Sequence, residues 1–178
     1  VTVTALPAGK VYGAADPVLT AIVTGMVNSE SSNLIHYSVG REAGEAVGVY
    51  KVLPTGDLLQ GNYTVTYVKA DFTITRAEGL TLKADDYEGT YDGKLHGKAA
   101  TASVTDGTTI EYKVGAYGTW SSTVPQIKEV GSATVTARAR NSNYKDPADV
   151  TYTLKVNPAP VTVTALPAGK VYGAADPV

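Results

Sequence analysis

The sequence predicts an all-β chain built as two tandem β-sandwich modules, end to end. Three observations carry that prediction. Apolar and polar residues alternate with a period of two over many short segments, the pattern of strands with one dry and one wet face. Gly- and Pro-bearing turns separate those segments. Composition agrees, with 12 Tyr among many Val and Thr, and 18 Gly and 9 Pro as punctuation. β-branched and aromatic residues suit a half-buried pleated surface.

Taken in order, Val1, Val3 and Ala5 share a face, with Thr2 and Thr4 opposite, and Pro7-Ala8-Gly9 turns the chain. A short helical turn is expected around Ser29 to Asn33. A strand from Leu34 to Val39 then sets His36 opposite Ile35, Tyr37 and Val39. Pro54-Thr55-Gly56-Asp57 is a turn, after which Tyr63, Val65 and Tyr67 alternate with Thr64 and Thr66. Phe72 and Ile74 alternate with Thr73 and Thr75. Asp92-Gly93 marks a turn. Asp106-Gly107, between Ala102-Ser103-Val104 and Ile110-Glu111-Tyr112, reads as a hairpin. Ile110, Tyr112 and Val114 share a face, as do Ala133, Val135, Ala137 and Ala139, and then Val150, Tyr152, Leu154 and Val156. No stretch keeps helical spacing for three turns. For the first module a β-grasp-like arrangement is the alternative.

The first eighteen residues, VTVTALPAGKVYGAADPV, recur letter for letter as the last eighteen, at an offset of 161 − 1 = 160. The chain therefore reads as one repeat unit plus the start of the next, a window on a tandem array. A weaker repeat lies inside the period. Glu45-Ala46-Val47-Gly48-Val49-Tyr50 resembles Glu129-Val130-Gly131-Ser132-Ala133-Thr134. Asn62-Tyr63 and Asn143-Tyr144, 143 − 62 = 81 residues apart, each precede a final strand. Tyr12-Gly13 and Tyr91-Asp92-Gly93 open the two modules alike. The expected modules are residues 1–77 and 78–160, with 161–178 as the first strands of the next copy. The joints Arg76-Ala77-Glu78-Gly79 and Asn157-Pro158-Ala159-Pro160 are too short for flexible tethers. A rod is expected, advancing about 70 Å per period from the strand rise.

With no Cys, the chain has no disulfide framework, thiolate zinc site or Cys nucleophile. A net charge of -2 argues against nucleic acid as a partner. No run of about 18 apolar residues offers a membrane span.

Lys10-Val11-Tyr12-Gly13-Ala14-Ala15-Asp16-Pro17, the Gly48 strand, Gly61-Asn62-Tyr63-Thr64 and Ala70-Asp71-Phe72-Thr73-Ile74 resemble the MBG domain of the YGX type, over about residues 1–77. Residues 78–160 are similar to a bacterial immunoglobulin-like repeat that often neighbours it. The matching features are Tyr91-Asp92-Gly93-Lys94-Leu95-His96-Gly97, Gly118-Thr119-Trp120-Ser121, Val130-Gly131 and Asn143-Tyr144-Lys145. The resemblance implies Ig-like sandwiches, secretion, bacterial cell-surface display and a stalk or adhesive role in tandem-repeat adhesins. It brings no catalytic residue.

The residues themselves offer little chemistry. His36 and His96 are the two histidines and lack a metal-ligand spacing. Gly89 to Lys94 superficially suggests a phosphate loop, but is one residue short of the Walker spacing. It reads as a strand and a turn. Asp85, Asp86, Glu88 and Asp92 are the densest acidic cluster and the candidate Ca²⁺ ligands, against the plainer reading of a solvated loop. Tyr117 and Trp120 share a glycine-bearing loop and are the candidate ligand platform for a sugar or protein, unless Trp120 packs into the sandwich. Lys83 with Asn141 or Asn143, and Lys10 with Asn62, are candidate isopeptide pairs. Residues 161–178 present an unpartnered apolar face, which either frays or fills the matching slot of another copy by strand exchange. The expectation is a non-enzymatic spacer with no cofactor, whose partners are neighbouring repeats and, in an alternative reading, glycans or host proteins.

Overall fold

The computed structural model describes residues 1–177. Residues 1–77 form nine strands: β1 (Thr2–Ala5), β2 (Ala8–Val11), β3 (Ala21–Thr24), β4 (Ser38–Arg41), β5 (Gly48–Thr55), β6 (Leu59–Gln60), β7 (Tyr63–Thr64), β8 (Thr66–Val68) and β9 (Ala70–Thr75). Residues 78–160 form eight: β10 (Leu82–Lys83), β11 (Tyr87–Thr90), β12 (His96–Gly97), β13 (Thr101–Ala102), β14 (Thr108–Val114), β15 (Gln126–Ile127), β16 (Gly131–Asn141) and β17 (Val150–Asn157). A single 3₁₀ turn, Ser32–Leu34, is the only helical element among the described residues, with Ser31 Oγ accepting from the Asn33 N–H. The expected turn thus sits a little later than Ser29, and the β-grasp alternative lacks its helix.

The two halves share one plan. The large sheet of the first half runs β2-β9-β5-β4, and that of the second runs β11-β17-β16-β14. In each, the first pair is parallel and the other two antiparallel. The register matches residue by residue: Gly48 faces Ile74 where Gly131 faces Val156, and Ala8 faces Phe72 where Tyr87 faces Leu154. The opposing layer is β3-β1-β8 in the first half and the short pairs β10-β13 and β12-β15 in the second.

The inward residues of the alternating segments make the cores. Ala5, Val52, Phe72 and Ile74 form one buried cluster and Val3, Ile35 and Val65 another. The second half buries Leu80, Leu82, Ala100, Tyr112, Val135, Ala137, Ala139, Tyr152 and Leu154 together. No buried member of the second-half cluster comes from residues 1–77.

Two expected elements differ. The chain from Leu34 to Tyr37 is not a strand; the 3₁₀ turn ends at Leu34, Ile35 caps it, and β4 begins only at Ser38. Ile35 is nonetheless buried and His36 exposed. Ala102 and Ile110 do not form a hairpin. β13 pairs with β10 in one layer and β14 with β16 in the other, so the Asp106-Gly107 turn hands the chain across the sandwich. Gly107, at φ +65°, still supplies the turn. Residues 161–177 form no strand and are exposed.

Candidate functional site

The hydrogen bonds that link the two halves converge on Asn143 and Lys145. β2 and β9 run parallel to the end of the first half, so the Tyr12 N–H donates to Thr75 O at 2.9 Å. Gly13, at φ +79°, then turns the chain back in a region of backbone space open to glycine. This sets the Tyr12 ring edge-on to Tyr144 of the second half, centroids 5.5 Å apart. The linker residue Ala77 is bonded on both sides. Its N–H donates to Asn143 O at 2.9 Å, and its carbonyl accepts from the Lys145 N–H at 2.8 Å. Ala77 and Tyr144 form a parallel bridge. Asn143 Oδ1 accepts from the Val47 N–H at 3.0 Å. Lys145 is ion-paired with Glu78. Asn143 is itself held by Asn141, whose Oδ1 accepts the Asn143 N–H while its Nδ2 donates to Asp106 O and Thr108 Oγ1. Asn141 is the one buried polar residue among the described residues, and these bonds satisfy it.

Behind the joint lies a charge cluster. Lys10 and Arg41 are nearly buried, at 6% and 9% side-chain exposure, and both reach Asp16 and Glu45. Asp16 takes Arg41 Nε at 2.6 Å and Lys10 Nζ at 2.7 Å. The guanidinium also lies 4.9 Å from the Phe72 centroid, so its stem and face cover the core. The Arg41 and Lys10 bonds hold the Asp16 carboxyl down at about 2. Asp16 and then Glu45 hold the Lys10 ammonium above its usual value. This cluster clamps residues 10–17 to the loop before β5, the loop that touches Asn143.

The acidic cluster does not converge. Asp86 Oδ1 accepts the Thr153 N–H at 2.6 Å, Asp85 lies 3.4 Å from Lys98, and Glu88 takes Lys155 and Asn157 at 2.8 Å each. Asp92 takes His96 at 2.8 Å and the Lys94 N–H. Among the described residues no three His, Asp or Glu side chains gather as metal ligands. Only Glu88 sits in β11, with Asp85, Asp86 and Asp92 outside it, and each carboxylate is taken up by its own partner. His96 stacks on Tyr87, centroids 5.0 Å apart, and helps hold Asp92 low.

Trp120 lies over the second half's large sheet, with Arg138 at 4.0 Å and Lys113 at 5.1 Å from its centroid, rather than in the buried cluster. Arg138 is in turn paired with Glu111 at 2.8 Å. Tyr117 is 101% exposed. Beside them a groove of about 480 Å³ is lined by Val114, Gly118, Thr119 and Val124 among others. The isopeptide pairs do not meet. Lys10 is spent on Asp16 and Glu45, Lys83 is exposed, and Asn141 and Asn143 are committed as described.

Residues 1–73 match the MBG domain (YGX type). That match takes in β1 through most of β9 and the charge cluster of Lys10, Asp16, Arg41 and Glu45. Among curated proteins, none matches this chain. Among solved structures, one titled as the fibronectin(III)-like modules of Clostridium thermocellum CbhA is similar at 15% identity, covering 70% of each chain, with a TM-score of 0.36. The joint itself went unread in the sequence, although its signal was present. Tyr12-Gly13 and Asn143-Tyr144 stand out there as repeat markers, and the structure brings these two markers into contact.

Proposed function

We propose that this chain is a stalk or spacer segment of a large bacterial cell-surface adhesin. It consists of an MBG module (1–77) and an Ig-like module (78–160) that together hold an adhesive region away from the cell. The observation that carries the reading is the joint. A linker residue bonded in both directions to the next sandwich, braced by Tyr12 on Tyr144, resists bending in a way a free tether does not. The MBG match over residues 1–73 and the exact 18-residue recurrence support a tandem array. Extracellular placement is part of the same reading. No helix among the described residues is long and apolar enough to cross a membrane. The proposed role is non-catalytic and needs no cofactor; in support, the candidate carboxylates and His96 pair with neighbours instead of converging. Small-angle X-ray scattering tests it. A chain carrying residues 1–160 twice should be longer than the single chain by about 70 Å, from the strand rise. A doubled chain of nearly unchanged maximum dimension overturns the reading.

A second reading has one observation in its favour. The fully exposed Tyr117, beside Trp120 and the groove, is a platform on which a sugar or a protein side chain stacks. Saturable binding on a glycan array, lost in Tyr117→Ala, would support it.

A further inference from the structure

The matching registers of the two halves locate a second joint. Tyr91 stands in the second half where Tyr12 stands in the first: its N–H donates to Asn157 O at 2.8 Å, as Tyr12 donates to Thr75 O. Val130 precedes Gly131 as Val47 precedes Gly48, and Gly131 and Gly48 hold the same register position. Tyr91 and Val130 are therefore the counterparts of the two first-half residues that seat Tyr144 and Asn143. Both are exposed, Val130 at 52%.

The receiving side is equally defined. β1 and β8 run parallel, with Val1 N donating to Thr64 O at 2.8 Å and the Thr66 N–H donating to Val1 O at 2.9 Å. Continued backward by one step of that ladder, a residue two positions before Val1 donates to Asn62 O and accepts from the Thr64 N–H. Ala77 makes this same pair of bonds, to Asn143 O and from Lys145 N. Val161 repeats Val1, and the residue two positions before Val161 is Ala159. Ala159 is exposed and makes no backbone hydrogen bond among the described residues.

We propose that Ala159, Tyr91 and Val130 form an interface for a second copy of this repeat, following in the same chain. Ala159 bridges Tyr63 of the following copy, Tyr91 packs on that Tyr63 ring, and the Val130 N–H donates to its Asn62 side chain. The array then uses one joint plan twice per period, between unlike modules. Residues 161–178 fold as the opening strands of that copy instead of entering a separate molecule. The two prolines around Ala159 fix the backbone on either side of the bridge. This rests on the stalk reading and names the contact that stiffens it.

The test uses a chain carrying residues 1–160 twice, followed by 161–178. The protein has no cysteine, so introduced thiols have no competitors. One variant carries Ala159→Cys in the first copy and Tyr63→Cys in the second; a control carries Ala77→Cys and Tyr144→Cys. Mild oxidation should close both pairs, read by peptide mass. Closure of the control alone overturns the proposal. Because Tyr63 also bonds Glu30 and Val27, a second measurement uses no substitution. In the doubled chain, amide exchange at Ala159 of the first copy should be slower than at Ala159 of the second by at least about tenfold. Equal exchange at the two overturns the proposal. Scattering separates this from the stalk reading: an extended chain with free Ala159 amides defeats the joint alone, while a collapsed chain defeats the stalk.

Discussion

Phe72→Ala tests whether the halves hold separate cores joined by a polar seam. Phe72 is fully buried among Ala5, Val52 and Ile74, under the Arg41 guanidinium. Truncating it costs about 3–5 kcal/mol in lost transfer and cavity terms. A unit the size of residues 1–77 has about 4–12 kcal/mol in all at typical stability per residue. The first half should therefore melt at least about 12 °C lower, at 4 °C or more per kcal/mol for a domain of this size. The second half shares none of that core. It can lose only the joint: three hydrogen bonds at about 0.5–1.5 kcal/mol each and a tyrosine pair of similar size. The assay follows from the composition, since Trp120 is the single Trp and lies in the second half. Far-UV circular dichroism should show an early transition through which Trp120 emission does not change. The reciprocal Leu154→Ala should bring the Trp120 transition first. A single transition in Phe72→Ala, with both signals coinciding, would refute the separation of the cores.

Gly9→Ala places a Cβ 2.5 Å from Thr73 O, a backbone atom that cannot move aside. It should detach β2 and with it Tyr12, giving a loss of about 1–3 kcal/mol by chemical denaturation, in a CD transition that leaves Trp120 emission unchanged. Asp16 has its carboxyl held to about 2 by Arg41 and Lys10. A depressed carboxyl stabilises the fold above its unfolded value and loses that contribution as pH falls toward the folded one. The melting temperature should thus fall between about pH 4 and pH 2, and Asp16→Asn should flatten that fall. Burial lifts the Tyr152 hydroxyl to about 12. Here the sign reverses: the folded state keeps a proton that the unfolded chain releases near pH 10. Stability should decline between pH 10 and 12, with one tyrosine ionising late in ultraviolet titration, a feature that Tyr152→Phe removes. Arg138→Ala takes away the cation 4.0 Å from Trp120 and should raise acrylamide quenching of its emission.

The strands were legible because their signal is local. Phe72 and Ile74, or Val135, Ala137 and Ala139, alternate with polar residues, and burial of one face follows from backbone geometry. Partnership is not local. Asp106-Gly107 carries a sound turn signal, yet the turn crosses between layers, because a turn fixes chain direction and leaves the choice of ladder to the core. The end of a period-two run misleads in the same way: Val114 shares a face with Tyr112 but is half-exposed where β14 ends. The candidate sites fared unevenly. Asp85, Asp86, Glu88 and Asp92 are neighbours in sequence, but each is drawn to a separate partner, which a sequence does not show. Lys10 and Arg41, 31 residues apart in the chain (41 − 10), gave no sign that they share two carboxylates, because an ion cluster is assembled by the sheet.

The residues of the KVYG-x-x-DP segment divide the labour of a joint. Lys10 and Asp16 hold the two ends of the segment together and tie it to Arg41 and Glu45. Gly13 supplies the left-handed turn. Tyr12, placed between these anchors, is left to reach across the seam to Tyr144. None of these side chains lines the grooves beside Tyr112, Asn141 or Ala100. A motif that ends a sandwich with one aromatic reaching along the chain is what the proposed tandem stalk asks of each unit. Ligand chemistry would then sit away from the joints, on surfaces such as the Tyr117 loop, where a substitution leaves the spacing of the array unchanged.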